Sequence, residues 1–330
     1  MPEPVRLSIL DLAPVAAGQT PADGFAASVA VAQAAERAGY TRIWYAEHHN
    51  MATIASSAPG ILIAHVAAQT STIRLGSGGV MLPNHSPLVI AEQFGTLATL
   101  HPGRIDLGLG RAPGTDGRTV QALRPVDPTA ERFPTDVEDL RGYFADESRV
   151  PGVYAVPGRG TRVPLYILGS SLFGANLAAK LGLPYAFASQ FAPDSLHEAV
   201  ALYRRAFTPS EQLAEPYVIA GMSVVAADTQ EAADVQWRAT RRARVRNFLP
   251  KTETIDDAQA DALLASLQGR RVDAMLRYSA IGTPPEVAKG VQEFAAHADG
   301  DEVMLLHQAP DREARLRSVE LLGAEMLGAG

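Results

Sequence analysis

The chain of 330 residues contains no cysteine, and this absence excludes disulfide bonds, thiolate metal sites and a cysteine nucleophile. No apolar run reaches the roughly 18 residues that a membrane-spanning helix needs. The N-terminal residues also lack the basic region and the apolar run of a signal peptide. Positive charge is in deficit, with a formal net charge of −7, which argues against general affinity for nucleic acid or for an anionic membrane. We therefore expect a cytoplasmic protein.

Two signatures of other functional classes are missing as well. Gly108, Gly110 and Gly114 do not have the G-x-G-x-x-G spacing that a Rossmann dinucleotide site requires. The first strand-like run, residues 7–14, lacks the H-x-H pair that metal-dependent hydrolase barrels usually carry. The sequence therefore disfavours both a Rossmann site and a catalytic metal centre.

Strand-like apolar runs alternate along the chain with alanine-rich, helix-like runs. Several of the strand-like runs are apolar without alternation, which is typical of parallel strands that are covered on both faces. The runs lie near residues 6–12, 42–46, 73–80, 104–109, 163–169, 185–188, 217–226 and 302–306. Eight such strands with helices between them predict an α/β fold, a (β/α)8 TIM barrel. We expect one domain over residues 1–330.

Two long insertions interrupt this alternation. Residues that commonly begin or end helices also occur along the chain. Residues 111–162 and 238–283 are too long for simple connections, so we expect long βα insertions there, with residues 238–283 as a candidate lid. Gly39 and Gly182 have the positions of helix stops. Thr283-Pro284-Pro285-Glu286 has the pattern of a capping box, and Ser86 precedes Pro87 at a predicted helix start.

Histidines collect where predicted strands end, which is where barrels of this kind carry their function. Glu47, His48 and His49 follow the second strand, and His85 follows the third. These four side chains suggest a metal site, but adjacent residues on a strand point to opposite faces, so His48 and His49 would rarely bind one ion. A single histidine is better suited to be a general acid or base. The alternative for His49 is a structural role, and His65 is expected in the core.

An anion site is one interpretation of the segment after the fifth strand. Ser170 and Ser171 stand where a helix begins, and hydroxyl groups, free N–H groups and the helix dipole there favour a phosphate. Gly174 allows close approach one turn later, and Arg111 offers a bidentate partner. The alternative is that the serines are ordinary N-caps and that Arg111 pairs with a surface carboxylate.

Tandem glycines end the third strand, and they also have two interpretations. Bare backbone at Gly78 and Gly79 would let a flat ring lie against the main chain, and glycine tolerates unusual geometry, even a rare cis peptide. With a phosphate site across the same barrel mouth, the pattern describes flavin mononucleotide (FMN). The alternative is that Gly78-Gly79 is only a bulge or a bend of the barrel.

Three long segments carry a resemblance to a known family. WYAEHHN (44–50), GSGGVMLPNHSPLVIAEQFGTLATLHPGRIDLGLGRAPGTD (76–116) and LYILGSSLFGANLAAKLGLPYAFASQFAP (165–193) resemble the luciferase-like monooxygenase superfamily, the bacterial luciferase-like flavin enzymes, and within it the single-chain group. The resemblance implies a (β/α)8 barrel that binds reduced FMN at its C-terminal mouth. The family's catalytic histidine falls on His48, and its non-proline cis peptide beneath the flavin falls on Gly78-Gly79. The cofactor-binding positions fall on Gly78, Gly79, Arg111, Ser170, Ser171 and Gly174.

Two departures from bacterial luciferase narrow what the resemblance implies. Gly110 stands where luciferase carries a reactive cysteine, and Ser170 stands where luciferase has an acidic residue beside its phosphate-site serine. Light emission and an aldehyde substrate are therefore not implied.

The resemblance thus implies an FMN-dependent monooxygenase that oxidises a small organic substrate with reduced FMN and O₂, and no metal. One alternative is hydride transfer with the deazaflavin F420, and another is a non-catalytic flavin-binding protein. Because no nicotinamide fingerprint is present, we expect a separate NAD(P)H-flavin reductase as partner. Family members commonly form homodimers. The physiological substrate is not encoded in any motif.

Overall fold

The computed structural model describes residues 5–123, 130–249 and 254–328. Within these residues, no helix is both long enough and apolar enough to cross a membrane. The strands of this part of the chain all pair in parallel with their neighbours. They are β1 (Arg6–Asp11), β2 (Arg42–Tyr45), β3 (Arg74–Met81), β4 (Ile105–Gly110), β5 (Leu165–Gly169), β6 (Tyr185–Phe187), β7 (Val218–Ala226), β8 (Ser279–Gly282) and β9 (Glu302–His307).

Eight of the strands close into a barrel, as the sequence predicts. Strands β1 to β7 pair in chain order, and β9 pairs with both β7 and β1. Strand β8 lies outside this ring. It pairs only with the end of β7, where Ser223 to Ala226 face Ser279 to Gly282. The sequence prediction did not include β8, because four residues are too few to show a recognisable pattern.

Helices cover the outside of the barrel. In the described residues they are α1 (Pro21–Ala38), α2 (Pro59–Ala67), α3 (Pro87–Leu100), α4 (Gly117–Leu123), α5 (Phe133–Ala145), α6 (Leu172–Leu181), α7 (Leu196–Ala206), α8 (Gln230–Arg246), α9 (Asp257–Leu264), α10 (Leu267–Met275), α11 (Pro284–Ala298) and α12 (Arg312–Leu327). The two long insertions therefore contain helices rather than plain loops: α4 and α5 lie in the first, and the end of α8 with α9 and α10 lies in the second.

The helix ends agree with their sequence signals in most cases. Gly39 and Gly182 end α1 and α6 in the left-handed conformation, with φ of 83° and 63°. Thr283 and Glu286 form the reciprocal capping box of α11. Ser86 precedes α3, but its side chain makes no capping hydrogen bond.

Inside the barrel, side chains fill the N-terminal half and leave the C-terminal ends of the strands as the mouth. Arg42 begins β2 and donates to Oδ2 of Asp106 at 2.7 Å and to Oε1 of Glu302 at 3.0 Å. All three side chains are buried. Above this ion-pair layer, Trp44 packs edge-on against Tyr166 with ring centres 4.9 Å apart. Side chains thus fill this end of the barrel, and we place the mouth at the other end.

Candidate active site

The mouth of the barrel has an apolar wall near its top. Leu12 follows β1 and Leu168 lies near the end of β5, and both are partly exposed while packing on the cluster that fills the barrel. A bound molecule would contact these side chains before it reached the filled interior. The upper barrel therefore offers a surface that excludes water from one side of a ligand.

Glu47 links the ends of two neighbouring strands at this mouth. Its Oε1 accepts hydrogen bonds from Nε2 of His49 and Nε2 of His85, each at 2.8 Å. The Met81 N–H donates to Oε2 at 3.0 Å. Burial alone would raise the pKa of Glu47, but the bonds from His85, His49 and Met81 outweigh it and hold the pKa below its usual value. Glu47 is therefore an anion that holds the β2 end against the β3 end.

His48 does not take part in this cluster. Its backbone N–H donates to Ser56 O at 2.9 Å, while its Nδ1 is enclosed and has no hydrogen-bond partner among the described residues. Burial lowers the pKa of His48, nearby Glu47 opposes that shift and His49 adds to it. The lowered pKa favours the neutral ring at pH 7, and the enclosed Nδ1 has no protein partner in the described structure.

The four residues that suggested a metal site are brought together only in part. His49 and His85 share one carboxylate oxygen of Glu47, whereas no hydrogen bond joins His48 to this carboxylate in the described structure. Across residues 5–123, 130–249 and 254–328, no group of three or more His, Cys, Asp or Glu side chains has an arrangement that could hold a metal ion. The separation of His48 from His49 follows the alternation expected at a strand end.

The tandem glycines of β3 have both the cis peptide and the bulge that the two interpretations predicted. The Gly78-Gly79 peptide bond is cis, and the pairing with β4 shifts by a bulge between Ser77 and Val80. A Cβ at Gly78 would lie 2.8 Å from Cδ1 of Leu10, and one at Gly79 would lie 2.8 Å from Gly108 O. Packing of the barrel itself therefore favours glycine at both positions, and most strongly at Gly79, where the nearest atom is backbone. The approach of a flavin ring to this backbone remains a prediction.

The start of α6 does not show the alternative arrangement, in which the serines cap the helix and Arg111 pairs with a surface carboxylate. Ser171 is the N-cap residue, but its side chain makes no capping hydrogen bond. Arg111 is exposed, and in the described part of the chain no carboxylate forms an ion pair with it. Its guanidinium carbon instead lies 4.0 Å from the ring centre of Phe173, in the first turn of α6. An unpaired cation thus stands beside helix N–H groups that have no intrahelical partner.

Packing against β5 and β6 by itself explains why residue 174 is a glycine. A Cβ at this position would lie 3.2 Å from Cε2 of Tyr185 and 3.6 Å from Cα of Gly169. The Tyr185 hydroxyl donates to Ser171 O at 3.0 Å. The small residue lets α6 lie close to β5 and β6, which fixes the position of the helix start. A direct contact of Gly174 with a cofactor remains a prediction.

Two further polar side chains near the strand ends have enclosed, unpaired atoms. Gln190 follows β6, and its Oε1 has no hydrogen-bond partner among the described residues. It lies against Gly221 so closely that a Cβ there would be 1.8 Å from that oxygen. Asn84 donates to Pro113 O at 2.9 Å, but its Oδ1 is likewise unpaired in the described structure. Both residues follow a strand end, which is the only feature of the sequence that could have indicated them. The sequence analysis assigned them no role.

One expectation for a histidine was wrong. His65 is exposed rather than part of the core. Helix α2 buries Leu62, Ile63 and Val66, and His65 falls on the other face of the helix. Its Nε2 lies 3.2 Å from Nε2 of Gln69. Apolar neighbours in sequence did not indicate burial here, because a helix buries only one of its faces.

A surface cavity of about 610 Å³ lies away from the mouth, between α5 and the start of β5 at Leu165. Its charged walls are largely paired with each other, since Arg149 donates to Glu138 at 2.6 Å and Arg162 lies 3.5 Å from Glu211. This groove is unlike the mouth, where polar atoms are enclosed and unpaired. We therefore place the candidate site at the mouth.

The sequence matches the family model described as luciferase-like monooxygenase over residues 5–300. The chain is 46% identical to a luciferase-like monooxygenase of Escherichia coli K12, with 98% of each chain covered. The chain belongs to the luciferase-like monooxygenase family. It is also 34% identical to the N-acetyl-S-alkylcysteine monooxygenase of Bacillus subtilis 168, with 98% of this chain and 99% of the relative covered.

Solved structures of similar proteins share the barrel. The crystal structure of apo-MsnO8 is similar with a TM-score of 0.89 and 35% identity, covering 97% of this chain and 98% of the other. More distant structures show the same fold. The oxygenating constituent of 3,6-diketocamphane monooxygenase from Pseudomonas putida, in complex with FMN, has a TM-score of 0.72 at 15% identity over 98% of each chain. An F420-dependent secondary alcohol dehydrogenase with an F420-acetone adduct has a TM-score of 0.68 at 16% identity, covering 96% of this chain and 98% of the other. As a luciferase-like monooxygenase, the chain places its mouth residues in a fold that carries redox cofactors in other proteins.

Proposed function

We propose that this luciferase-like monooxygenase uses reduced FMN and O₂ to oxygenate a small organic substrate. The observation that carries the proposal is Arg111, an exposed cation without a carboxylate partner in the described residues, stacked on Phe173 at the start of α6. A phosphate at this position would receive the guanidinium charge and the free helix N–H groups together. FMN has a phosphate, and riboflavin does not.

The other residues of the mouth fit the rest of such a cofactor. The hydroxyls of Ser170 and Ser171 supply further donors for the phosphate, and the main chain at Gly78 and Gly79 supplies a surface for the ring. The reduced cofactor supplies two electrons, so that one oxygen atom of O₂ enters the substrate and the other leaves as water. The neutral ring of His48 holds or transfers a proton through its enclosed Nδ1.

The substrate class follows from a relative rather than from the geometry. The B. subtilis relative that is 34% identical is named for N-acetyl-S-alkylcysteines. These molecules combine an apolar alkyl chain with a sulfur atom that accepts oxygen. Partly exposed Leu12 and Leu168 offer an apolar surface for such a chain. We therefore propose N-acetyl-S-alkylcysteines as the first substrates to test.

Hydride transfer with F420 is the second candidate, and it is supported by the likeness to the F420-dependent alcohol dehydrogenase. F420 also combines a flat ring with phosphate, so the mouth does not separate the two cofactors. The reactions differ in their need for O₂. An F420 enzyme would transfer hydride under anaerobic conditions, whereas a monooxygenase would not turn over.

The reducing partner is part of the proposal. The sequence lacks a dinucleotide fingerprint, so we propose that a separate NAD(P)H-flavin reductase supplies reduced FMN. A reaction of the purified chain with NADH and FMN but no reductase would contradict this part alone.

The test combines binding and turnover. The purified protein is titrated with reduced FMN, reduced F420 and reduced riboflavin under anaerobic conditions. Oxygen consumption is then measured with a flavin reductase, NADH and a panel of N-acetyl-S-alkylcysteines. We expect preferential binding of FMN and substrate-dependent formation of a sulfoxide or a cleaved thioether. Binding of neither FMN nor F420 would overturn the proposal. Binding of FMN without oxygenation of any panel member would instead favour the non-catalytic flavin-binding protein.

A further inference from the structure

Two exposed histidines meet on the helices outside the barrel. His197 lies in the first turn of α7 and His297 lies near the end of α11. Their Nε2 atoms are 2.9 Å apart. The hydroxyl of Tyr278, just before β8, is 3.3 Å from Nε2 of His297. Three donor atoms from three separate elements thus converge at the surface.

The spacing of the two nitrogens suits a shared metal ion. Zinc and similar ions bind imidazole nitrogen at roughly 2.0–2.1 Å. Two such nitrogens at a right angle around one ion are about 2.9 Å apart by simple trigonometry from that bond length. The observed separation of Nε2 atoms is 2.9 Å. It fits neighbouring ligands in square-planar or octahedral coordination.

The ring orientation supports the same conclusion. The ring centroids are 4.2 Å apart with an interplanar angle of 85°. Two imidazoles that bonded end to end would have centroids separated by the nitrogen distance and both ring radii. The shorter separation shows that the rings are not collinear and meet edge to face, with the two Nε2 atoms bordering one region. Exposure of both rings leaves that region open to ions and to water.

The positive charge of one neighbouring arginine is partly neutralised. Arg277, the residue next to Tyr278, lies 3.0 Å from the carboxylate of Asp194. Its positive charge is thereby neutralised in part. In the absence of metal, one histidine donates to the other, and a metal ion takes the place of the shared proton.

The ligand set indicates the class of ion. Imidazole and phenol donors without thiolate suit copper, nickel and zinc rather than magnesium or calcium. Affinity for such donors rises from Mn²⁺ to Cu²⁺ and falls again at Zn²⁺. No third His, Cys, Asp or Glu side chain joins the set in the described structure, so water completes the coordination.

We propose that His197 and His297, with Tyr278, form a surface site for a divalent transition-metal ion, with Cu²⁺ the most tightly bound. The site is separate from the Glu47, His49 and His85 cluster at the mouth, and it does not depend on the flavin function proposed above.

The test is a titration of the metal-free, full-length protein with CuSO₄, followed by calorimetry and by electron paramagnetic resonance. We expect one equivalent of Cu²⁺ with a spectrum of nitrogen coordination. His197→Gln and His297→Gln should each weaken binding at least tenfold, and Tyr278→Phe should weaken it less. Nickel and zinc, titrated in the same way, should bind more weakly than copper.

Two control variants locate the ion. His65→Gln removes another exposed histidine, in α2, and should leave Cu²⁺ binding unchanged. His85→Gln alters the mouth cluster and should also leave it unchanged. Absence of specific Cu²⁺ binding would overturn the proposal. Loss of binding in His85→Gln, with His297→Gln still binding as wild type does, would overturn it as well.

Discussion

Nε2 of His85 donates to Oε1 of Glu47 at 2.8 Å, which joins the segment after β3 to the segment after β2 at the barrel mouth. The same oxygen accepts from His49. The carboxylate is buried, and it has protein donors on both oxygens before any ligand binds. The backbone around His48 is therefore held in place by the protein itself.

Removal of this carboxylate should destabilise the fold. Glu47→Ala removes the acceptor that His49, His85 and the Met81 N–H share, and the loss of an acceptor for enclosed donors costs about 1–3 kcal/mol. Glu47→Gln keeps one oxygen as an acceptor and should cost less. The free energy of unfolding, measured in urea, checks both. A Glu47→Ala protein as stable as the wild type would contradict this role.

Arg111 should distinguish FMN from riboflavin. A hydrogen bond to a charged group contributes about 1.5–3 kcal/mol, so Arg111→Ala should weaken FMN binding by about 10- to 100-fold. Binding of riboflavin, which has no phosphate, should change little. Arg111→Lys keeps the charge but loses the bidentate geometry, so an intermediate affinity is expected. Equal losses for FMN and riboflavin would place the guanidinium at the ring rather than at the phosphate.

His48 should act on turnover and not on cofactor affinity. His48→Gln removes a general acid or base, and such a loss typically lowers the rate by about 100-fold or more. The dissociation constant of FMN should stay near the wild-type value. Burial lowers the pKa of His48 below 6.5, so the wild-type rate should fall only in acid below that pH. This decrease in rate at low pH should be absent from His48→Gln. If the decrease persisted, it would belong to another titrating group.

The tandem glycines should differ in their tolerance of a methyl group. At Gly79 a Cβ would meet the backbone oxygen of Gly108 at 2.8 Å, whereas at Gly78 it would meet the terminal carbon of Leu10 at the same distance. A side-chain end can move, and a strand backbone cannot. We expect Gly79→Ala to destabilise the protein by roughly 1–3 kcal/mol, the usual cost of overpacking, and Gly78→Ala by less. Thermal unfolding of both variants checks the order, and the reverse order would show that Leu10 cannot shift.

His307 should make stability depend on pH. Burial, assisted by nearby Arg315, lowers the pKa of His307 to about 3. Between pH 6.5 and that value the unfolded chain binds a proton that the folded protein does not. Stability is therefore complete above pH 6.5 and falls as the pH decreases, by at most about 1.4 kcal/mol per pH unit from this group.

A comparison of variants isolates the contribution of His307. His307→Gln should flatten the dependence of the unfolding free energy on pH between 6.5 and 4. The exposed His65→Gln should retain the wild-type slope. Parallel slopes for wild type and His307→Gln would mean that His307 can be protonated in the folded protein.

The fold was predictable because its signals are repeated along the chain. Eight apolar runs with helices between them predicted the barrel, and Gly39, Gly182 and the capping box at Thr283 marked helix ends correctly. Strand β8 was not predictable, since Ser279–Gly282 is too short for periodicity to be visible. The burial of His65 was predicted wrongly, because the face that α2 turns to the barrel depends on packing and not on the residues next to His65 in sequence.

The candidate site was predictable as a set of residues but not as a set of contacts. Position after a strand end indicated that Glu47, His48 and His85 would lie at the mouth. It did not indicate that one buried carboxylate would hold His49 and His85 and leave His48 unpaired. The sequence also left open whether Arg111 has a carboxylate partner, a question that depends on residues far away in the chain.

By itself, the sequence determined the barrel, the end of the barrel that carries the site and the family, because these depend on local patterns and on motifs in a given order. Tertiary structure alone decided the partners of the charged and polar groups at the mouth, and it alone brought His197 to His297. Hydrogen bonds and ion pairs act over a few ångströms between side chains that are distant in sequence, so their partners are settled only when the strands close into a ring.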